Sequence, residues 1–137
     1  MMETFILTRD IKVFYVTASA FPDGVLDAHA ALHQRVPFSA DRHYFGISRP
    51  ENGPVVYRAG TEETEPGEAE KYHCDSLLLK KGTYITLTVH DFRKDPGSIE
   101  AAFQQLLAEP GLDPEGYCVE WYENDQETVR CMIRLAA

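Results

Sequence analysis

The chain has 137 residues, 44% of them apolar and 26% charged, a composition that fits one globular unit with a core of its own and no need of disulfide or metal staples. Its formal net charge of −9 repels phosphate backbones and argues against direct binding of DNA or RNA. No apolar run approaches the ~20 residues that cross a bilayer, and METFILTRD at the N-terminus lacks the apolar stretch of a signal peptide, so no membrane contact and a cytoplasmic location are expected.

The first predicted strand is IKVFYVTASAF, residues 11–21, a β-branched and aromatic run that extends back through TFILT with a kink near Arg9 and Asp10. Pro22, Asp23 and Gly24 break it. VLDAHAALHQRV, 25–36, sets Val25, Leu32 and Val36 at helical offsets, and Pro37 ends the pattern. RHYFGISRP, 42–50, and VVYRAGT, 55–61, read as strands around an ENG turn. TEETEPGEAEK, 61–71, holds five glutamates and reads as a solvated loop, with counter-charge for a cationic ligand or a basic protein as the alternative.

KYHCDSLLLKKG, 71–82, predicts a strand closed by a turn at Lys81 and Gly82, and TYITLTVHDF, 83–92, is the cleanest strand in the chain. DPGS supplies helix-start chemistry, with Ser98 or Asp95 as cap. IEAAFQQLLAE then places Ile99, Phe103, Leu106 and Leu107 on one stripe, and Pro110 and Gly111 stop it. GYCVEWYEN, 116–124, and TVRCMIRLA, 128–136, form a predicted hairpin.

Both halves thus read strand, helix, strand, strand, over about 10–61 and 83–136. The repeat is one of pattern, with weak identity between the copies. The expectation is one α+β domain over 1–137: a duplicated βαββ unit, an antiparallel sheet with two helices on one face, and a groove between the halves.

Cys74, Cys118 and Cys131 form no disulfide framework and no CxxC pair, so they read as small buried hydrophobes. His29 and His33 stand four apart on the first helix, a spacing a metal would accept, but no third ligand lies near. They are expected at the surface, with no metal and no cofactor. No nucleophile elbow or phosphate loop is present, and no catalytic residue is assigned.

Glu120 is the unusual residue, an acid between Val119 and Trp121 in an aromatic strand. Alternation groups Tyr117, Val119 and Trp121 against Cys118, Glu120 and Tyr122. The aliphatic faces are expected beneath the helices, which makes Trp121 core. By elimination Glu120 goes to the opposite face with Tyr122, Tyr84, Thr86, His90 and Met132. There it either pairs with Arg130 or Arg134 across the hairpin, for roughly 0–1 kcal/mol if exposed, or serves an organic cation in an aromatic groove. Tyr44 and Tyr57 are candidates to line the first half's side of that groove.

The motifs YFGIS at 44–48, VVYRAGT at 55–61, KKGTYITLTVHD at 80–91, IEAAFQQLL at 99–107, and VEWYEN followed by VRCMIRLA resemble, in their order, the GyrI-like domain. That is the effector-binding domain of many AraC-type and multidrug-sensing transcription regulators. Its glycine–x–tyrosine, alanine–phenylalanine and glutamate–x–tyrosine signatures fall on Gly82-Thr83-Tyr84, Ala102-Phe103 and Glu120-Trp121-Tyr122. The resemblance implies a ligand groove between duplicated halves. It implies a bulky, apolar, cationic or aromatic small-molecule ligand with Glu120 as charge partner, and Tyr122, Tyr84 and Tyr44 as further ligand-binding residues. No helix-turn-helix precedes the domain here, so a stand-alone ligand-binding protein is expected, acting alone or through a protein partner. Two alternatives stay open: hydrolysis of a reactive small molecule by the strand glutamate, and inhibition of a protein of the topoisomerase type.

Overall fold

The computed structural model describes residues 2–136. Its elements are β1 Glu3–Leu7, β2 Ile11–Thr17, α1 Val25–Arg35, β3 Tyr44–Pro50, β4 Val55–Glu62, α2 Glu68–Lys71, β5 Asp75–Leu79, β6 Gly82–Val89, α3 Ser98–Leu107, β7 Cys118–Tyr122 and β8 Val129–Arg134. The strands form one antiparallel sheet in the order β1-β6-β8-β7-β3-β4-β2-β5. Each βαββ unit supplies three neighbouring strands. The strand that precedes each unit pairs with the other one: β1 lies along β6, and β5 along β2. Among the described residues no helix is long and apolar enough to cross a membrane.

Two short links force the sheet to curl. β5 is one edge, yet only Lys80 and Lys81 separate it from β6, beside the other edge. Three Cα steps reach about 11 Å at most. The link from β1 to β2 makes the reverse crossing with three residues. The two ends of the sheet must therefore approach each other. Leu7 at one edge and Leu79 at the other accordingly share an inner core with Val13, Phe45, Ile47 and Trp121.

The outer face carries the helices. α1 lays Ala28, Leu32 and Val36 over Phe14, Tyr57 and Ala59. α3 lays Ala102 and Leu106 over Leu87, Val129, Cys131 and Ile133. The side chain of Asp95 meets Gly97 N and Ser98 Oγ meets Asp95 O, so neither expected cap holds an inner helix N–H.

Because the sheet curls, both of its faces are buried, and this reverses the expected side for β7. Residues paired directly across an antiparallel ladder share a face. Glu120 stands opposite Cys131, and Trp121 opposite Arg130. Glu120 therefore points toward the helices. Trp121 points inward, edge-to-face with Phe5 and Phe45. An aliphatic face did not mark the helix side, since the inner core is apolar as well.

The acidic stretch is also different from its expected form. Glu62 ends β4, buried, and accepts His43 N at 3.0 Å. Glu68 is buried and grips the Arg42 guanidinium with both oxygens while accepting Thr64 N and Glu65 N. The Arg42 bond holds its carboxyl well below the usual range, at about 2, against the opposing effect of burial. Glu63 pairs with Lys12 at 3.3 Å. Glu65 and Glu70 remain exposed. The stretch is fastened to the sheet, and its first part is strand and its last part helix.

Trp121→Ala should cost about 3–5 kcal/mol in urea unfolding, since the indole fills the inner core with 8% of its surface exposed.

Candidate functional site

Each helix covers the strands of its own half, and the central pair β3–β7 is left uncovered between them. The result is a cleft of about 1380 Å³ with β3 and β7 as floor and α1 and α3 as walls. Seven large apolar side chains are exposed among the described residues, and five of them, Phe21, Leu26, Phe38, Val55 and Leu107, line this cleft. Exposed apolar surface gathered in one place marks a binding surface rather than random solvent contact.

Glu120 lies in the floor with 9% of its surface exposed. Tyr57 Oη, from β4 of the other half, donates to Glu120 Oε1 at 3.0 Å, and Tyr122 Oη donates to the same oxygen. Tyr57 has one hydroxyl proton and spends it on Glu120. His29 Nε2–H, from α1, therefore donates to Tyr57 Oη, 2.8 Å away. The His29 ring stands edge-on to both tyrosines, at 5.7 and 5.6 Å. Phe21 stacks on Tyr57 and Phe92 meets Tyr122 edge-on. Oε2 receives no hydrogen bond from the described residues and is not sealed off from solvent.

Gly46 makes this arrangement fit. It pairs with Glu120 across the β3–β7 ladder. A Cβ there would lie 2.0 Å from Tyr57 Oη and 2.6 Å from Glu120 Oε1. Glycine in the middle of a strand weakens it, and its reward is close approach of another group.

Burial raises the pKa of Glu120, and the bonds from Tyr122 and Tyr57 offset part of that rise. Burial and the neighbouring carboxylate raise both tyrosines further from ionisation. Burial, then His33 and Arg93, lower His29 to about 4, so its ring is neutral at physiological pH. Cys118, in the cleft floor, is pushed up to about 11 by burial and by Glu120, which makes it a poor nucleophile. The site therefore presents a carboxyl group with one oxygen taken up by two phenols and the other free of hydrogen bonds, in largely apolar surroundings and without an ion-pair partner among the described residues.

Three of the four ligand-binding residues expected from the sequence share this cleft: Glu120, Tyr122 and Tyr44. Tyr44 stacks on Phe38 at 5.5 Å and its hydroxyl accepts Ser39 N. Tyr84 does not join them. It is buried on the inner face, in the same core as Met132, and donates to Lys80 O at 2.6 Å. Thr86, two residues on in β6, and its register partner Met132 lie on that face too. His90 is exposed on the far side of the β7–β8 turn, by Asp125, and not in the cleft. The cross-hairpin ion pair is absent as well. Arg130 pairs with Glu123 and lies over Phe5 and Trp121, and Arg134 pairs with Asp113.

Tyr57 lines the cleft, as its candidacy for the first half's side of the groove anticipated, whereas His29 and Gly46 were not among the expected site residues. His29 is half-buried in the cleft wall rather than at the surface, whereas His33 is exposed at its rim. Among the described residues no three His, Cys, Asp or Glu side chains are grouped as metal ligands.

No protein-family model matches the chain, and no curated protein matches it in sequence. Solved structures match it in fold. An integron cassette protein, VCH_CASS2, from the mobile metagenome of Vibrio cholerae superposes with a TM-score of 0.71 at 11% identity, covering 98% of this chain and 95% of that one. SAV2435 bound to tetraphenylphosphonium gives 0.65 at 10%, covering 100% and 94%. A proposed bacterial transcription regulation protein from Staphylococcus aureus MU50 gives 0.58 at 9%, covering 100% and 97%. At such identities the likeness is one of fold, and it agrees with the architecture that the GyrI-like resemblance implies.

Gly46→Ala should cost about 1–3 kcal/mol in urea unfolding through overpacking, while Gly97→Ala, with only one atom within 4 Å of its added Cβ, should be near neutral. Glu120 binds protons more tightly folded than unfolded, so its contribution to stability falls as pH rises from the ordinary carboxylate pKa through its raised value. His29 acts in the opposite sense, since its stabilising neutral form is lost to the unfolded chain as pH falls from 6.5 toward about 4. Comparison with a variant separates the two. Glu120→Gln should melt a few degrees above wild type at pH 8, and this excess should vanish at pH 4, as read by calorimetry.

Proposed function

We propose that the chain is a small-molecule-binding protein of the GyrI-like effector-binding type, and that its cleft takes a bulky, apolar organic cation with Glu120 as counter-charge. The observation that carries this reading is the open Oε2 of a buried carboxylate at the floor of an aromatic cleft. An isolated buried carboxylate is costly. A cation that enters with its own apolar bulk satisfies the charge and covers the exposed rim in one step. Tyr122, Tyr44 and Phe21 place rings around it, and a cation over a ring face gains ~0.5–2 kcal/mol per contact. The similar structure with tetraphenylphosphonium bound supports the ligand class, and the likeness to a transcription regulation protein supports a sensing role. The proposed setting is the cytoplasm, with the whole chain as one domain.

Calorimetric titration with tetraphenylphosphonium, and with triphenylphosphine oxide as a neutral counterpart, tests the reading. Glu120→Gln should weaken the cation by about tenfold or more, ~1.4 kcal/mol, and barely change the neutral compound. Cation affinity should also fall as pH drops through the raised pKa of Glu120, because the protonated form carries no counter-charge. Equal losses for both compounds would remove the charge-partner role. Following the bound compound by mass separates binding from catalysis: a Glu120-dependent change in mass would make the chain a hydrolase instead.

A further inference from the structure

We infer that the cleft is shaped for an amphiphile, with a cationic centre at Glu120 and a hydrocarbon arm directed to one end; this rests on the cation-binding reading above. The two ends differ in chemistry. Along the floor, the Gly46–Glu120 pair is flanked by Tyr44–Tyr122 on one side and Ser48–Cys118 on the other. α1 starts at the Ser48–Cys118 end and finishes where β3 begins, at Tyr44. α3 runs the other way. It follows Phe92, which touches Tyr122, and finishes at the end where β7 begins.

The start of α1, the start of β4 and the close of α3 therefore meet at the Ser48–Cys118 end. They bring Phe21, Leu26, Val55 and Leu107 together there, with exposures of 47%, 80%, 38% and 56%. The opposite end carries Arg93, Glu100, Glu123, Asn124 and Gln126, with Phe38 over Tyr44 as its one strongly exposed apolar side chain among the described residues. Four of the cleft's five exposed apolar side chains thus gather at the Ser48–Cys118 end, where Arg49 is engaged by Glu51 and Glu115 O, and the polar side chains gather at the other.

Size points the same way. Sites for drug-sized ligands span about 300–1,000 Å³, and this cleft is about 1380 Å³. A compact cation at Glu120 leaves the apolar end wet. An alkyl arm attached to that cation would cover it, and each buried methylene is worth ~0.8 kcal/mol, or about fourfold in affinity.

The test is a titration series of alkyltriphenylphosphonium salts, from methyl to dodecyl. Affinity should climb by up to about fourfold per methylene while the arm lies in the cleft, then level off at the rim. Leu26→Gln/Leu107→Gln should flatten that climb. Ile6→Gln, which alters an equally exposed apolar side chain outside the cleft, should leave it intact and so reports any unspecific partitioning. Glu120→Gln should lower every member by one common factor. A flat series that still depends on Glu120 overturns the amphiphile and leaves the cation reading standing. A climb that survives Leu26→Gln/Leu107→Gln overturns it too. Loss of Glu120 dependence throughout removes both.

Discussion

A carboxylate set in the floor between two helices, with phenol hydroxyls as its only donors among the described residues, governs the chain around it. The sheet must leave a gap opposite it, and Gly46 provides one. A tyrosine from the neighbouring half must reach across that gap, and Tyr57 does so from β4. A group behind that tyrosine must donate and stay uncharged, since a second cation would satisfy Glu120 permanently. His29, kept neutral by burial, meets both conditions. The arginines of the floor and its hairpin are spent elsewhere, on Glu123, Asp113 and Glu51. Arg93, at the cleft's rim, donates to Gln126 O, and among the described residues no cation forms an ion pair with Glu120.

The rest of the fold isolates the site rather than decorates it. The curl of the sheet gives the inner face a core of its own, so the outer face is free to be interrupted. The helices pack separately on their own halves, and neither crosses the β3–β7 seam. Burial sufficient for stability is obtained without closing the cleft. That is why aromatic and aliphatic side chains can remain exposed along its walls in a chain of only 137 residues.

Much of this was legible in the sequence, for physical reasons. Strand alternation and helical stripes are local properties, so seven of the eight strands and the helices α1 and α3 could be read from short windows; β1 was read as a kinked extension of β2, although the two lie toward opposite edges of the sheet. The order of motifs carried the duplicated architecture. What failed was the step from alternation to facing. Val119 and Trp121 are as apolar as a helix-covered face should be, yet they point into the curled interior. Only long-range register, Glu120 against Cys131, decides which side is which; Tyr84 lies on the face away from the helices as expected, and it was Glu120 that was placed there with it in error. The glutamates of 61–71 misled in a similar way, because Arg42 and His43, which bind Glu68 and Glu62, lie some twenty residues upstream. A signal for the missed site existed in Gly46, a glycine inside a clear strand pattern, which marks close approach of another group.

The matched registers of β3 and β7 place the local two-fold of the duplication between Gly46 and Glu120. A dimer of identical βαββ chains would be bound by that axis to set the same residue on both sides. Two glutamates there would repel and share a proton, and two glycines would leave no charge at all. Joining the units in one polypeptide lifts the constraint, because the two copies of one position can become different residues. A single negative charge on a symmetry axis is therefore something that only the covalent fusion can encode. The same freedom lets the opposed ends of the cleft differ, one richer in hydrocarbon and the other in polar groups, on a scaffold whose strand order is equivalent read from either edge.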